Sequence, residues 1–223
     1  MKVVILGATG MVGQGVLHEA LADPGVEAVL TLGRSATGIA NPKLREIVRA
    51  DLFDLEPIAA QLAGYDACFF CLGVSSVGVK EDDYRRLTHD LTLSVARTLL
   101  RLNPAMTFCF VSGEGTDAAG QSTWARVKGQ TENELMALGF KGAYMFRPGF
   151  IRPMKGVRSR TRLYHLFYVT LGWTFPILKA LAPNFVTTSQ IVGQAMLRVS
   201  REGYAQPILA TRDINAVGAG TSG

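Results

Sequence analysis

The chain has 223 residues, of which 48% are hydrophobic and 18% charged, and its formal net charge is +5. This balance excludes a largely disordered chain, and the length is typical of one domain with its own core. The positive charges are scattered and accompany no known nucleic-acid-binding motif, so we expect no nucleic-acid partner. We predict a single domain over residues 1–215 and a flexible tail over residues 216–223.

Short apolar runs alternate with longer amphipathic ones along the chain. In chain order the predicted elements are strand Val3–Leu6, helix Met11–Ala22, strand Ala28–Leu32, strand Ile47–Val48, helix Leu55–Ala63, strand Ala67–Cys71, helix Glu81–Leu102, strand Met106–Val111, helix Trp124–Leu138, strand Ala143–Phe146, helix Arg160–Leu181, helix Ser189–Arg201 and a late edge strand Pro207–Ala210. Strands that are apolar on both faces, with helices between them, are typical of a parallel sheet covered on both sides. The sequence therefore predicts an α/β fold of the Rossmann type, with a doubly wound parallel sheet.

The first predicted strand runs directly into a glycine-rich turn that opens the first helix. The turn reads Gly7-Ala8-Thr9-Gly10-Met11-Val12-Gly13. Glycines at this spacing permit a tight turn, close approach of backbone N–H groups to a pyrophosphate, and close packing of helix on strand. The helix N-terminus also favours negative charge. This pattern predicts a dinucleotide site with contacts from Gly7, Thr9, Gly10, Met11, Val12 and Gly13.

No carboxylate follows the second predicted strand, where an NAD-binding protein often places an acid for the adenosine ribose. Leu32-Gly33-Arg34-Ser35 stands there instead. A guanidinium can pair with a 2′-phosphate through two hydrogen bonds, and the Ser35 hydroxyl can add another. The sequence therefore favours NADP(H) over NAD(H) as cofactor. In the alternative, Arg34 stacks on adenine, which would tolerate either nucleotide.

Further cofactor contacts are expected where the next strands end. Asp51 and Leu52 follow the third strand, near the expected adenine edge, although Asp51 can equally cap the following helix. Cys71, Leu72 and Gly73 end the fourth strand, beside the expected path to the nicotinamide. Cys68 and Cys71 form a C-x-x-C motif. Three residues apart on a strand their thiols point to opposite faces, so we expect no metal site.

Together these residues resemble the atypical short-chain dehydrogenase/reductases, in particular the NAD(P)-binding NmrA-like or epimerase-like group. The likeness covers nearly the whole chain and rests on the glycine turn, Leu32-Gly33-Arg34, Asp51-Leu52, Val111-Ser112, residues 127–132, Arg147-Pro148-Gly149 and Arg212-Asp213-Ile214. The resemblance implies the sheet order 3-2-1-4-5-6 and a substrate side built mainly from residues 149–188. It also implies cofactor contacts at Lys128, Pro148, Gly149 and Phe150.

In such reductases a Ser holds the substrate oxygen, a Tyr protonates it, and a Lys lowers the Tyr pKa and binds the nicotinamide ribose. The resemblance assigns the Ser and Lys roles to Ser112 and Lys128. Trp124 stands where the pattern Y-x-x-x-K requires the Tyr, and its indole N–H can donate a hydrogen bond but cannot give up its proton at neutral pH. It can shape the substrate pocket or pack beneath the helix start. Substitute proton donors are offered by Tyr84, Tyr164, Tyr168 and Glu114.

Residues 163–181 are aromatic and nearly free of charge until Lys179, and Pro176 interrupts them. They predict a helical lid over a substrate pocket, with a membrane-surface or dimer contact as the alternative. An apolar lid favours a small apolar carbonyl compound or quinone as substrate.

The sequence thus predicts an NADP(H)-dependent oxidoreductase, monomeric or homodimeric. The alternatives are a catalytically silent NADP(H)-binding redox sensor and, after it, a sugar epimerase, which the same fold can support. The first residues are too short and glycine-rich for a signal-peptide core, so we expect a cytoplasmic location.

Overall fold

A parallel sheet of seven strands forms the centre of the protein in the computed structural model, which describes residues 1–152 and 185–220. In chain order the strands are β1 (Lys2–Leu6), β2 (Ala28–Gly33), β3 (Leu44–Val48), β4 (Ala67–Phe70), β5 (Thr107–Val111), β6 (Gly142–Arg147), β7 (Phe150–Arg152), β8 (Val186–Thr188) and β9 (Ile208–Ala210). The main sheet has the order β3-β2-β1-β4-β5-β6-β9. This order confirms the Rossmann arrangement and the late edge strand. The sequence did not predict β7 and β8, which pair as a separate parallel ribbon.

Helices cover both faces of the sheet. They are α1 (Met11–Ala22), α2 (Glu81–Arg85), α3 (Leu91–Leu102), α4 (Thr123–Ala137), α5 (Ser189–Glu202) and α6 (Thr211–Ala219). A π turn over Arg86–Asp90 joins α2 to α3, so the helix predicted over Glu81–Leu102 is confirmed as one continuous run.

The inner strands β1, β2, β4 and β5 lack polar alternation because they are buried on both sides. In β1, Val3 and Ile5 face one hydrophobic cluster, which includes side chains of α1 and α5. Val4 and Leu6 face the other cluster, which includes side chains of α3 and α4. All four side chains are fully buried. The continuous apolar runs of the sequence therefore reflect two cores, one on each face of the sheet.

The segment before β4 differs from the prediction. Glu56–Gln61 form a short 3-10 helix, so the α-helix predicted over Leu55–Ala63 is wrong. Pro57 removes a backbone donor from its first turn. The Asn103 side chain then donates to Leu62 O and accepts from Tyr65 N–H, at 2.9 Å each. These two bonds hold the chain in a turn immediately after the segment.

The tail predicted from residue 216 is wrong for residues 216–219, which complete α6. The Asp213 carboxylate accepts the Ala210 N–H at the start of this helix, and Ile214 is fully buried against the core. Residues 221–223 lie outside the described residues, as do the helix predicted over Arg160–Leu181 and the lid or membrane contact expected over residues 163–181. Within the described part of the chain, no helix is long and apolar enough to cross a bilayer.

Close packing against α5 fixes the position of α1, which carries the glycine turn at its start. A side chain at Gly15 would lie 2.8 Å from the Ser189 carbonyl carbon, so the two helices approach to backbone distance. At the other end of α1, the Arg201 guanidinium donates to both carboxylate oxygens of Asp23, at 2.7 and 2.9 Å. Arg201 lowers the pKa of Asp23. Because both ends of α1 are held, the turn has a fixed position at the edge of the sheet.

Candidate functional site

The glycine turn is as tight as its sequence predicts. Gly7 has φ +80°, and a Cβ there would lie 2.7 Å from the backbone of Cys71. A Cβ at Gly13 would overlap the Gly7 carbonyl, 2.7 Å from its carbon atom. Gly10 caps α1, and no side chain caps the helix there. The first N–H groups of α1 therefore remain available to an anionic ligand.

A small cleft of about 70 Å³ opens beside this turn, at the carboxyl ends of β1 and β2. Five of the residues predicted to bind the cofactor line it, namely Gly7, Thr9, Arg34, Ser35 and Leu72. Arg34 is exposed and forms no hydrogen bond or ion pair with any residue in ranges 1–152 and 185–220. A cleft of this size holds only part of a dinucleotide. The tight glycine turn, the helix N-terminus and the unpaired Arg34 guanidinium fit the phosphate groups of that part.

The other residues predicted to contact the cofactor near this edge do not line the cleft. Met11 and Val12 form the first, partly exposed positions of α1. The Asp51 carboxylate accepts the N–H of Phe53 at 2.8 Å, which is a local turn bond, and the Leu52 side chain is buried in the core. Burial raises the pKa of the Cys71 thiol, so the thiol stays protonated at neutral pH. A side chain at Gly73 would meet no atom within 4 Å, which leaves the backbone open there.

Ser112 lies at the end of β5, nearly buried, and its hydroxyl is engaged within its own loop. Its Oγ lies 2.9 Å from Oγ1 of Thr116, and Thr116 Oγ1 donates to Gly113 O at 2.7 Å. A hydroxyl has one proton, so Ser112 must be the donor in its bond to Thr116. In this arrangement the Ser112 oxygen can accept a hydrogen bond from a ligand, but its proton is already used.

Lys128 lies next to Ser112, as the resemblance implies. Its Nζ donates to Ser112 O at 3.0 Å and to Val111 O at 3.4 Å, and lies 5.8 Å from the centre of the Phe110 ring. Part of the residue is exposed, yet the packing around its ammonium is dense. This burial lowers the pKa of Lys128 to about 8, and the charge of Glu132 partly opposes the shift. Lys128 is therefore an acid that can release its proton near neutral pH.

A buried ion pair links α4 to the end of β6. Glu132 is 1% exposed, and Arg147 Nε donates to its two carboxylate oxygens at 3.0 and 3.1 Å. Arg147 Nη2 makes a further bond to the same carboxylate, and Glu132 raises the pKa of Arg147. The pair joins residues 127–132 to Arg147-Pro148-Gly149, two of the segments that carry the family resemblance. Sequence reasoning missed it, although both segments had been singled out.

Arg147 leads directly into residues predicted to contact the cofactor. Pro148 O accepts the N–H of Glu114 at 3.0 Å, and the Gly149 N–H donates to Thr211 Oγ1 at 2.8 Å. Phe150 begins β7. The ends of β5 and β6 are thus tied together beside Ser112 and Lys128.

Trp124 packs over the loop that follows Ser112. A side chain at Gly115 would lie 3.4 Å from Cη2 of Trp124, and the indole is partly exposed. Among the substitute proton donors, Tyr84 is 2% exposed and its burial raises its pKa, which makes it a poor donor to a bound substrate. Glu114 is exposed. Tyr164 and Tyr168 lie outside the described residues.

Comparison with known proteins agrees with the geometry of this edge. Residues 7–125, more than half of the chain, match the family described as NAD(P)H-binding. The chain is 29% identical to the protein fmp52, mitochondrial, of Emericella nidulans over 205 residues, which are 87% of this chain and 84% of the relative. It is 28% identical to the protein HTATIP2 of Rattus norvegicus over 152 residues, 67% of this chain and 62% of the relative.

The cytoplasmic location expected from the sequence is contradicted by the first of these relatives, whose name places it in mitochondria. That expectation rested on the missing signal-peptide core, which is a feature of secretion. It has no bearing on the other compartments of a cell.

A solved structure has the same architecture. The crystal structure of an oxidoreductase of the short-chain dehydrogenase/reductase family from Burkholderia thailandensis matches with a TM-score of 0.68 and 19% identity, covering 98% of this chain and 92% of that one. At 19% identity this match shows the Rossmann fold alone. The two relatives are more similar to this chain in sequence, at 29% and 28% identity. The chain therefore belongs to the NAD(P)H-binding family.

Proposed function

We propose that the protein is an NADP(H)-dependent oxidoreductase that acts on a small apolar carbonyl compound. The observation that carries the cofactor assignment is a cleft lined both by the glycine turn and by Arg34 and Ser35. Arg34 is exposed and has no partner in the described part of the chain, so it is free to bind a 2′-phosphate. No Asp or Glu lines the cleft among the described residues.

The same edge of the sheet supports a proton-transfer role for Lys128. When bound, the nicotinamide would supply the hydride that reduces the carbonyl carbon. The chain then has to supply the proton for the oxygen, and Trp124 cannot do so. Lys128, with its pKa lowered to about 8, is protonated at pH 7 and is a weak enough base to give up that proton. Ser112 Oγ would accept a hydrogen bond from the resulting alcohol.

An apolar substrate is supported by the loop that follows β4. Val74, Val77 and Val79 are 38%, 82% and 38% exposed. This loop extends from the carboxyl edge of the sheet, where ligands of doubly wound folds bind. Exposed valines at such an edge favour an apolar molecule over a sugar nucleotide.

NADPH oxidation in the presence of aldehydes, ketones and quinones tests this function. We expect turnover with at least one apolar carbonyl compound, and we expect the rate to fall as the pH rises through about 8, because the Lys128 ammonium is then lost. Lys128→Met should lower turnover by about 100-fold or more and remove this pH dependence.

The matched control is Lys141→Met, which removes an exposed lysine at the opposite edge of the sheet and should leave turnover unchanged. NADPH binding is measured for both variants, so that a loss of cofactor is not mistaken for a loss of chemistry. NADPH oxidation that stays at the background rate with every acceptor tested would contradict the enzymatic assignment.

A specific observation favours a second candidate, a catalytically silent NADP(H)-binding redox sensor. Trp124 replaces the proton-donating Tyr, and the Ser112 proton is held by Thr116. Both features weaken the usual proton relay of such reductases while leaving the nucleotide cleft intact. Tight NADPH binding without turnover would favour this candidate.

A further inference from the structure

A carboxylate from β3 holds the loop that carries Arg34. Glu46 lies beside Thr31 in the register of β2 and β3. Its Oε2 accepts the Thr37 N–H at 2.8 Å and the Thr31 hydroxyl at 3.1 Å. Both donors therefore converge on one oxygen of a partly exposed side chain. Hydrogen bonds to a charged acceptor are stronger than those between neutral groups.

These bonds fix the position of residues 34–37. The loop leaves β2 after Gly33, whose carbonyl accepts the Arg49 N–H at 2.9 Å. Its other end is tied to β3 through Thr37 and Glu46. Thr31 and Thr37 themselves line the cleft, together with Arg34 and Ser35. The two residues assigned to the 2′-phosphate thus lie on a short loop that is held at both ends.

We propose that Glu46 is a positioning residue that sets the preference of this cleft for NADP(H) over NAD(H). The inference rests on the proposed function, because it concerns the same nucleotide. Glu46 acts through the loop: its bond to Thr37 keeps Arg34 and Ser35 at the mouth of the cleft, which lowers the entropy lost when they bind a phosphate. NADH lacks the 2′-phosphate, so its affinity does not depend on the ordering of Arg34 and Ser35.

The charge of Glu46 and its hydrogen bonds have opposite effects, which makes the role testable. Its negative charge repels a nearby 2′-phosphate, whereas its bonds hold the loop that binds one. Glu46→Gln keeps an oxygen that can accept both donors and removes the charge. Glu46→Ala removes the bonds and the charge together. The two variants therefore separate positioning from electrostatics.

The experiment is a titration of the whole chain and its variants with NADPH and with NADH, followed by nicotinamide fluorescence. For Glu46→Ala we expect the NADPH dissociation constant to rise about tenfold, which corresponds to the loss of roughly one charge-assisted hydrogen bond. We expect the NADH dissociation constant to change by less than about twofold. Glu46→Gln should bind NADPH as tightly as the parent or more tightly. Arg45→Ala is the control, since its side chain bonds Gln61 and not the loop.

Thermal unfolding of each variant accompanies the titration, because a purely structural role would lower stability and weaken both nucleotides equally. Retention of the parental NADPH preference by Glu46→Ala would overturn this inference and leave the proposed function standing. An equal loss of NADPH affinity in Glu46→Gln and Glu46→Ala would overturn the inference as well. A parent protein with no preference for NADPH would instead contradict the proposed cofactor, and this inference with it.

Discussion

Replacing Arg147 with methionine is expected to destabilise the protein by about 3–5 kcal/mol, because it leaves a buried carboxylate without a partner. Glu132 is 1% exposed, and Arg147 binds both of its oxygens. Methionine fills a similar volume but cannot donate a hydrogen bond. The free energy of unfolding in urea at pH 7 measures the loss.

Two further variants test whether the burial of the Glu132 carboxylate causes this loss of stability. Arg126→Met breaks the pair with Glu81, whose side chain is 51% exposed, and should cost less than about 1 kcal/mol. The double variant Arg147→Met with Glu132→Met removes both charges and should regain most of the lost stability, since a well-packed apolar pair can replace a buried ion pair. A loss for Arg147→Met no larger than that for Arg126→Met would contradict this account.

Gly13→Ala is expected to destabilise the fold by about 3 kcal/mol and to abolish nucleotide binding. The added methyl group would overlap the Gly7 carbonyl, and rigid backbone lies on both sides of that contact. Relief of the overlap requires α1 to move away from β1, which its packing on α5 opposes. Thermal unfolding and an NADPH titration measure the two effects.

Gly10→Ala is the matched control for Gly13→Ala, three residues earlier in the same turn. A Cβ there would lie 3.2 Å from Gly7 O, and Gly10 has φ −81°, which alanine adopts without strain. We expect a loss of less than about 1 kcal/mol in the free energy of unfolding. Equal stability of the two variants would show that the turn is looser than its geometry indicates.

Much of the fold could be predicted because its signals are local. Val3–Leu6 and the apolar runs of the other inner strands lack alternation because they are buried on both faces, and Gly7 to Gly13 lie within one turn of the chain. Elements that depend on distant partners were missed or wrong. The turn that follows the 3-10 helix is held by Asn103, more than 40 residues from the start of that helix, and the end of α6 is ordered by packing on the core.

In the candidate site too, features with local sequence signals could be predicted and those that depend on distant partners could not. Arg34 and the glycine turn could be placed together because parallel strands bring their carboxyl ends to one edge. Glu46 could not be linked to Thr37 without the register of β3 on β2, and the sequence contains no pairing signal for that register. Thr31 was the available hint, as a polar residue inside an apolar strand.

The central claim, a cleft selective for NADP(H), is tested most directly by titrating the purified protein and Arg34→Ala with NADPH and with NADH. The account predicts that the parent binds NADPH at least about tenfold more tightly than NADH, and that Arg34→Ala removes this difference while leaving NADH binding within about twofold. Equal binding of the two nucleotides by the parent, or an NADPH preference that survives in Arg34→Ala, would contradict it.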